Sequence, residues 1–184
     1  KIATSKATSS KWDNYMELDA NVATKIYSSG TYLLQTKWGQ SSNYNRFCPI
    51  DPVTNLRTIV GCNGVELGQI LYYWQCRDFP DNSITYTPSR FTTPLTVNFF
   101  NQNYNWSNMS KTISDDNNAL LLYHSAIAAR SDFGSGETTS NPISSRNAFV
   151  SYFGFNADNV QYKSNYTNEN WINLLKLEIN AERP

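Results

Sequence analysis

Apolar residues follow a helical spacing in several stretches of the chain, and polar segments separate these stretches. Between residues 61 and 74 the apolar residues fit one face of a helix better than the alternation of a strand. They are Val65, Leu67, Ile70, Leu71 and Trp74. Pro80 ends any helix before it, because proline lacks the backbone N–H that a helix interior needs. The pattern therefore predicts a helix that begins near Cys62.

The clearest predicted helix covers residues 118–130, "NALLLYHSAIAAR", which are rich in Ala and Leu. Asp115 and Asp116 precede it, and negative charges there favour a helix N-terminus. A further helix is predicted over 144–154, with Gly154 as its C-cap. An amphipathic helix is predicted over 168–180.

The remaining segments are polar and irregular. Residues 11–27 have enough apolar spacing for a short helix, after a small, polar lead at 1–10. Residues 39–58 form a long polar connection with two prolines, and residues 81–115 suggest one or two short strands. Loops of this length inside a compact domain are usually functional or disordered.

Composition narrows the class of protein. The 184 residues suit one domain, or one domain with a small extension, and 5 Trp, 12 Tyr and 9 Phe supply a real core. Fifteen basic residues balance fifteen acidic ones, without the Lys and Arg cluster that a nucleic-acid binder places on phosphates. No apolar run approaches the roughly 20 residues that cross a bilayer. We therefore predict neither nucleic-acid binding nor a membrane span.

The three cysteines are Cys48, Cys62 and Cys76, an odd number that leaves at least one thiol free or paired between chains. A disulfide scaffold of this size usually contains more cysteine. Asn, Ser, Thr and Tyr are abundant and charged residues are scarce, which suggests an extracellular surface.

Cys62 follows Gly61 at the start of the predicted helix, and two interpretations compete. A free cysteine packs as a small hydrophobe. Alternatively, a helix N-terminus favours a thiolate, which is the nucleophilic form, and its free N–H groups can hold an oxyanion. On this pair of residues alone the packing role is favoured, because a nucleophile also needs a base.

The single histidine, His124, lies in the middle of an apolar predicted helix, where a structural role is commoner than a catalytic one. Spacings typical of zinc ligands or of phosphate-binding glycine loops are absent from the sequence. The residues thus indicate no cofactor and no metal.

Five motifs together resemble one family. The segment "LLQTKWGQSSNYNRFCP" at 33–49 and "VGCNGVELGQILYYW" at 60–74 look like the start of the catalytic domain of streptopain-type bacterial cysteine proteases. Further resemblances follow in the family's order: "YNWSNM" at 104–109, "LLYHSAIAARSDFGSG" at 121–136 and "NAFVSYFGF" at 147–155. The resemblance covers about residues 30–184.

The resemblance implies an α+β, papain-like fold, of which this chain carries mainly the helical half with the central nucleophile helix. It places Cys62 at the nucleophile position and Gln40 at the position of the glutamine that helps form the oxyanion hole. The loop of Gly134, Ser135 and Gly136 falls where the family contacts the substrate backbone. His124 falls in a motif distinct from that of the catalytic histidine.

Two features depart from the family pattern. The family's Val-Ala-Thr-Ala run is replaced here by Asn63, Gly64, Val65 and Glu66. Gly64 is expected to weaken the helix. Glu66 is expected to lie in the first turn, where its negative charge opposes the formation of a thiolate at Cys62. The family's catalytic histidine lies in a downstream Gly-Gly-His-Ala motif that these residues do not contain. The resemblance therefore implies a His-bearing downstream segment or a second chain as a partner.

The resulting expectation is a secreted or extracellular bacterial cysteine endopeptidase, periplasmic or surface-associated forms included, that acts on proteins or peptides. Residues 1–29 are interpreted as an N-terminal extension or the remnant of a pro-segment, and residues 30–184 as the N-terminal part of the peptidase domain. The alternative is a non-catalytic relative with the papain fold that binds a protein partner or has a structural role.

Overall fold

The structure is a computed structural model that describes residues 32–76, 79–100 and 102–184. Within these residues, 36–160 form one compact unit, and 32–35 with 161–184 belong to a second. The helix predicted within 11–27 and the extension predicted for 1–29 lie outside the described residues.

Among the described residues, the 36–160 unit contains three helices and a two-stranded sheet, and the described part of the other unit contains one helix. In chain order the elements are α1 (Cys62–Trp74), β1 (Ser83–Tyr86), β2 (Leu95–Asn98), α2 (Asp116–Ala128), α3 (Pro142–Phe153) and α4 (Asn168–Asn180). Two short 3-10 turns, Trp106–Asn108 and Lys163–Asn165, precede α2 and α4.

The helix termini follow from local capping. Helix α2 begins two residues earlier than predicted, because the Asp115 carboxylate accepts hydrogen bonds from the backbone N–H groups of Asn117 and Asn118. The Asn118 side chain in turn accepts from the Asp115 backbone, which completes a capping box.

Helix α3 also begins two residues early. Asn141 caps it, and Pro142 takes the first helical position, where a missing N–H costs nothing. Gly154 ends this helix in the left-handed region at φ 71°, as the sequence predicts. The predicted bounds of α4 are confirmed.

The sequence predicted one or two short strands within 81–115, and the structure has two there as an antiparallel pair, with Ser83 opposite Asn98 and Tyr86 opposite Leu95. Ile84 and Val97 face each other and are buried. The next pair, Thr85 and Thr96, is exposed, and its two hydroxyls are hydrogen-bonded to each other. This alternation places one face of the small sheet against the core.

Helices α1 and α2 approach each other closely at two glycines of α1. A Cβ atom on Gly64 would lie 2.8 Å from the Cβ of Ala126 and 2.8 Å from Val60 Cγ1. A Cβ on Gly68 would lie 2.5 Å from Leu122 Cδ2. Packing therefore requires glycine at Gly64, where the Cβ would meet the rigid Ala126, whereas at Gly68 the end of the Leu122 side chain would have to shift. For Gly64, this close contact outweighs the weaker helix propensity noted from the sequence.

His124 lies inside the core on α2. Its Nδ1 is 2.8 Å from the hydroxyl of Tyr104, and its ring packs against the edge of Phe99. Burial lowers the pKa of His124 from 6.5 to about 4. The neutral imidazole is therefore the form that the fold holds at neutral pH.

Helix α4 differs from the others because none of its residues, all of which are described, is buried. Four of its large apolar side chains are among the exposed hydrophobic residues: Ile172, Leu175, Leu177 and Ile179. Within the described residues, no helix has the length and apolar character needed to cross a bilayer.

The Gly64→Ala variant is expected to lower the free energy of unfolding. The added methyl overpacks the contact with Ala126 at a cost of about 1–3 kcal/mol, against a helix-propensity gain of at most about 1 kcal/mol. Urea unfolding of the variant and the parent measures the difference. Gly136→Ala is the matched control, since a Cβ there meets nothing within 4 Å among the described residues, and its change should stay within about 0.5 kcal/mol. Equal stability of the Gly64→Ala variant and the parent would contradict the packing argument.

The His124 pKa predicts a loss of stability in acid. The unfolded chain takes up the proton near pH 6.5 and the folded chain only near pH 4. The contribution of His124 to the free energy of unfolding is therefore fully present above pH 6.5. It is lost as the pH falls from 6.5 to 4, by about 3 kcal/mol in total. Urea unfolding between pH 7 and pH 4 tests this against His124→Gln, which has no titrating ring. The free energy of unfolding should fall less with pH in His124→Gln than in the parent. Identical pH dependence in the two proteins would refute the low pKa of His124.

Candidate active site

Cys62 is the first residue of α1 and is exposed. Gly61 precedes it as the N-cap, and no side chain caps the helix there. The first backbone N–H groups of a helix have no partner within the helix and carry its positive dipole end. The structure thus places an accessible thiol beside backbone N–H donors that can stabilise a negative charge.

Gly61 has φ 85°, a left-handed conformation that favours glycine. A Cβ on Gly61 would also lie 2.9 Å from both Cγ2 and the carbonyl oxygen of Thr138. Thr138 fills the space beside Gly61, so backbone conformation and packing require the glycine.

The residue after the thiol makes a polar contact with it. The Cys62 thiol donates to Asn63 Oδ1 at 3.6 Å, and the Asn63 amide donates to the Ser145 hydroxyl at 3.1 Å on α3. The first departure from the family pattern therefore introduces a short hydrogen-bonded chain from the thiol to a neighbouring helix.

Glu66 lies in the second turn of α1, and the expectation that it occupies the first turn is wrong. Because the helix begins at Cys62, Glu66 is its fifth residue, one turn beyond the thiol. Desolvation of the carboxyl raises the pKa of Glu66, although the residue as a whole remains exposed. Residues four positions apart lie on the same face of a helix, so Glu66 remains a neighbour of Cys62, and its position in the second turn does not remove the opposition to a thiolate that the sequence suggested.

Gln40 is exposed and lies near the start of α1. Its backbone carbonyl accepts a hydrogen bond from the N–H of Val60 at 3.0 Å. This contact joins Gln40 to the strand-like segment that ends in Gly61 and Cys62. A backbone hydrogen bond to Val60 therefore brings Gln40 close to the residues that lead into Cys62.

The loop of Gly134, Ser135 and Gly136 is fixed to the same segment. The N–H of Ile59 donates to the carbonyl of Gly134 at 3.1 Å, and the Thr138 hydroxyl donates to the carbonyl of Ile59 at 2.8 Å. The structure thus brings Gln40 and this loop to residues 59–61, directly before Cys62. Sequence reasoning missed Thr138, for which no local motif gives a signal.

A sequence profile of the Peptidase C10 family matches residues 38–184. The chain belongs to the Peptidase C10 family. The resemblance to streptopain-type proteases is confirmed, and the match begins just before Gln40 and includes Cys62 and the 134–136 loop. No curated protein sequence matches the chain.

Two solved structures share the fold. The active wild-type interpain A cysteine protease of Prevotella intermedia has a TM-score of 0.71 and 25% identity, and covers 81% of this chain. A fragment of Prevotella intermedia prointerpain A has a TM-score of 0.70 and 20% identity, and covers 97%. This chain spans 65% and 64% of those two chains, which is less than two thirds of each. The predicted α+β, papain-like fold is confirmed.

The single histidine of this Peptidase C10 chain, His124, lies in the core on α2. His124 is buried, bonded to Tyr104, and surrounded by aromatic rings. Its placement supports the structural role that the sequence suggested.

The other two cysteines are unlike Cys62. All three are free thiols, but Cys48 is 1% exposed and Cys76 is half-buried. Burial raises the pKa of Cys48 to about 12 and the pKa of Cys76 to about 12. Both therefore stay protonated and unreactive at neutral pH.

Iodoacetamide at pH 7.5 is expected to alkylate Cys62 at least tenfold faster than Cys48 or Cys76. The exposed thiol is accessible to the reagent, whereas burial keeps the thiols of Cys48 and of the half-buried Cys76 protonated at this pH. Peptide mass spectrometry over a time course measures the three rates, and Cys62→Ser should remove the fast phase alone. Equal rates at the three sites would show that Cys62 has no special reactivity.

Proposed function

We propose that this chain carries the nucleophile of a cysteine endopeptidase that cleaves protein or peptide substrates. The observation that carries the proposal is the exposed Cys62 thiol at the first residue of α1, within a chain of the Peptidase C10 family. An exposed thiol at that position has access to substrate, and the first backbone N–H groups of the helix lie beside it as candidate oxyanion donors.

In the proposed reaction the Cys62 thiolate attacks the carbonyl carbon of the scissile peptide bond. An S–C bond forms, and the carbonyl π electrons move to oxygen. The backbone N–H of Cys62 and the side-chain amide of Gln40 then donate to this oxyanion. The hydrogen bond from the Val60 N–H to the Gln40 carbonyl supports a fixed position for Gln40, the second of these donors.

The tetrahedral intermediate collapses by breaking the C–N bond, so the leaving amine needs a proton. An imidazole is the usual source, and it first takes the proton of the thiol. His124 is bonded inside the core, so we propose that a His-bearing downstream segment or a second chain supplies this group. Water then hydrolyses the thioester by the same route.

We further propose that the protein acts outside a bacterial cell and that residues 1–29 are the end of a pro-segment. The Prevotella intermedia origin of both structural relatives supports a bacterial source, and the name of the prointerpain relative supports a zymogen. The polar, charge-poor composition supports an extracellular setting.

A non-catalytic relative is the second candidate, and the contact between Cys62 and Asn63 favours it. The Cys62 thiol donates to Asn63 Oδ1, a contact that engages the thiol within its own chain. If this contact keeps the thiol from substrate, the domain keeps the fold and loses the chemistry. Cys62 is more accessible than Cys48 and Cys76 under both candidates, so hydrolysis of a fluorogenic peptide by the protein assembled with its His-bearing segment, and its loss in Cys62→Ser, separates them.

Gln40→Ala, in the protein assembled with its His-bearing segment, should lower kcat on a fluorogenic peptide by about 10² to 10³, with a smaller change in KM. The reason is that one oxyanion donor is lost while substrate contacts remain. Gln40→Glu, which has a similar shape but replaces the donor amide with an acceptor, should lose as much. An unchanged kcat in both variants would remove Gln40 from the oxyanion site.

A further inference from the structure

We propose that Asp51 is a positioning residue that fixes the loop of Gly134, Ser135 and Gly136 beside Cys62, in the geometry that holds an extended peptide substrate. The proposal rests on the proposed peptidase function, because it concerns the binding of that substrate. Asp51 lies outside the residues that the sequence singled out.

The Asp51 carboxylate is fully buried and accepts four hydrogen bonds. Its Oδ1 accepts from the N–H of Val53 at 2.9 Å. Its Oδ2 accepts from the N–H and the hydroxyl of Ser135, both at 3.2 Å, and from Arg90 Nη1 at 3.3 Å. Two of these four donors thus belong to a residue 84 positions away, in the middle of the candidate substrate loop.

The charge of Asp51 makes this contact strong. The N–H of Val53 is the largest influence that lowers the pKa of Asp51, and the Ser135 donors and the Arg90 guanidinium act in the same direction against the effect of burial. The carboxylate is therefore ionised at neutral pH. A buried charge that loses its donors is costly, so the fold resists any movement of Ser135 away from Asp51.

Ser135 is joined through the backbone to the segment before Cys62. The preceding residue, Gly134, accepts from the N–H of Ile59, and a Cβ on Gly134 would lie 2.4 Å from the Glu137 carbonyl. The loop therefore turns tightly at Gly134. By contrast, a Cβ on Gly136 meets no described atom within 4 Å, which leaves this side of the loop open to a ligand.

The local structure around Asp51 does not require the contacts to Ser135. The backbone of the 51–56 turn is closed by bonds from Asp51 N–H to Leu56 and from Asn55 N–H to Asp51. Only Val53 uses the carboxylate for this turn. The second carboxylate oxygen is committed to Ser135 and Arg90, and its function is to join loops that are distant in sequence.

Asp51→Asn separates these roles. One amide oxygen can still accept from Val53, but the NH₂ group then faces the N–H of Ser135 and the Arg90 guanidinium, which are donors. The loop is expected to move away from its position. A misplacement of about 1 Å can cost on the order of 10² in the rate of a reaction that depends on substrate position.

Two reagents that alkylate the same thiol test the proposal. Iodoacetamide needs only an accessible Cys62, whereas a peptidyl chloromethyl ketone also needs the loop to hold its peptide part. In the purified parent protein the peptidyl reagent should react faster than chloroacetone, which has the same warhead without a peptide. In Asp51→Asn the iodoacetamide rate should stay within about twofold of the parent, and the peptidyl rate should fall at least tenfold.

Asp132→Asn is the matched control. Its carboxylate lies three residues before Ser135 and holds Ser89 through the backbone N–H and the hydroxyl, without contact to Ser135. Both rates should stay near the parent values in this variant. An equal fall of the peptidyl rate in Asp132→Asn would show general loosening and overturn the role of Asp51.

The remaining outcomes are distinct. A parent protein without any advantage for the peptidyl reagent over chloroacetone refutes the proposed function itself, and the positioning role with it. If the peptidyl reagent still reacts faster than chloroacetone in Asp51→Asn, to the same extent as in the parent, only the positioning role is refuted. If Asp51→Asn fails to fold by circular dichroism, Ser135→Ala keeps the N–H donor to Asp51 and removes the hydroxyl, which contacts both Asp51 Oδ2 and the Thr54 hydroxyl. Thr54→Val, which removes the Thr54 hydroxyl alone, is its control. The peptidyl reagent should slow several-fold in Ser135→Ala and stay near the parent rate in Thr54→Val, with iodoacetamide unchanged in both; no slowing in Ser135→Ala, or equal slowing in the two variants, refutes the proposal.

Discussion

The close contact between α1 and α2 at Gly64 and Gly68 is the constraint on which the candidate site depends. The space that side chains would occupy on α1 is filled by Ala126 and Leu122 of α2. Since the two helices cannot separate without opening a void or approach without a clash, the axis of α1 is fixed. Cys62, as the first residue of that helix, takes its position from this packing.

The loops around Cys62 are held by hydrogen bonds rather than by a large sheet. Val60 pairs with Gln40, Ile59 pairs with Gly134, and the buried Asp51 binds Ser135. Each bond joins segments that are distant in sequence, so the geometry of the site is a property of the whole 36–160 unit. This arrangement is compatible with an enzyme that must keep a nucleophile and a substrate loop in register.

The polar groups nearest the thiol determine how the proposed chemistry would operate. Asn63 accepts from the thiol and is itself oriented by Ser145, while Glu66 lies in the second turn. The single histidine is committed to Tyr104 in the core, which is why the proposed base is assigned to another segment. The chain thus carries the proposed nucleophile and the candidate oxyanion donors, and its proposed activity requires a partner group.

The sequence by itself determined the four described helices to within two residues, the Gly154 cap and the family, because helical periodicity and capping depend on residues within a few positions of each other. Pro142 and Gly154 bound one helix for such local reasons, and the motifs around Cys62 identified the relatives. Only the tertiary structure decided why Gly61 and Gly64 must be glycine, and that Asp51 binds Ser135 across 84 residues. These depend on which surfaces meet in space, and neither periodicity nor composition records a contact between distant segments.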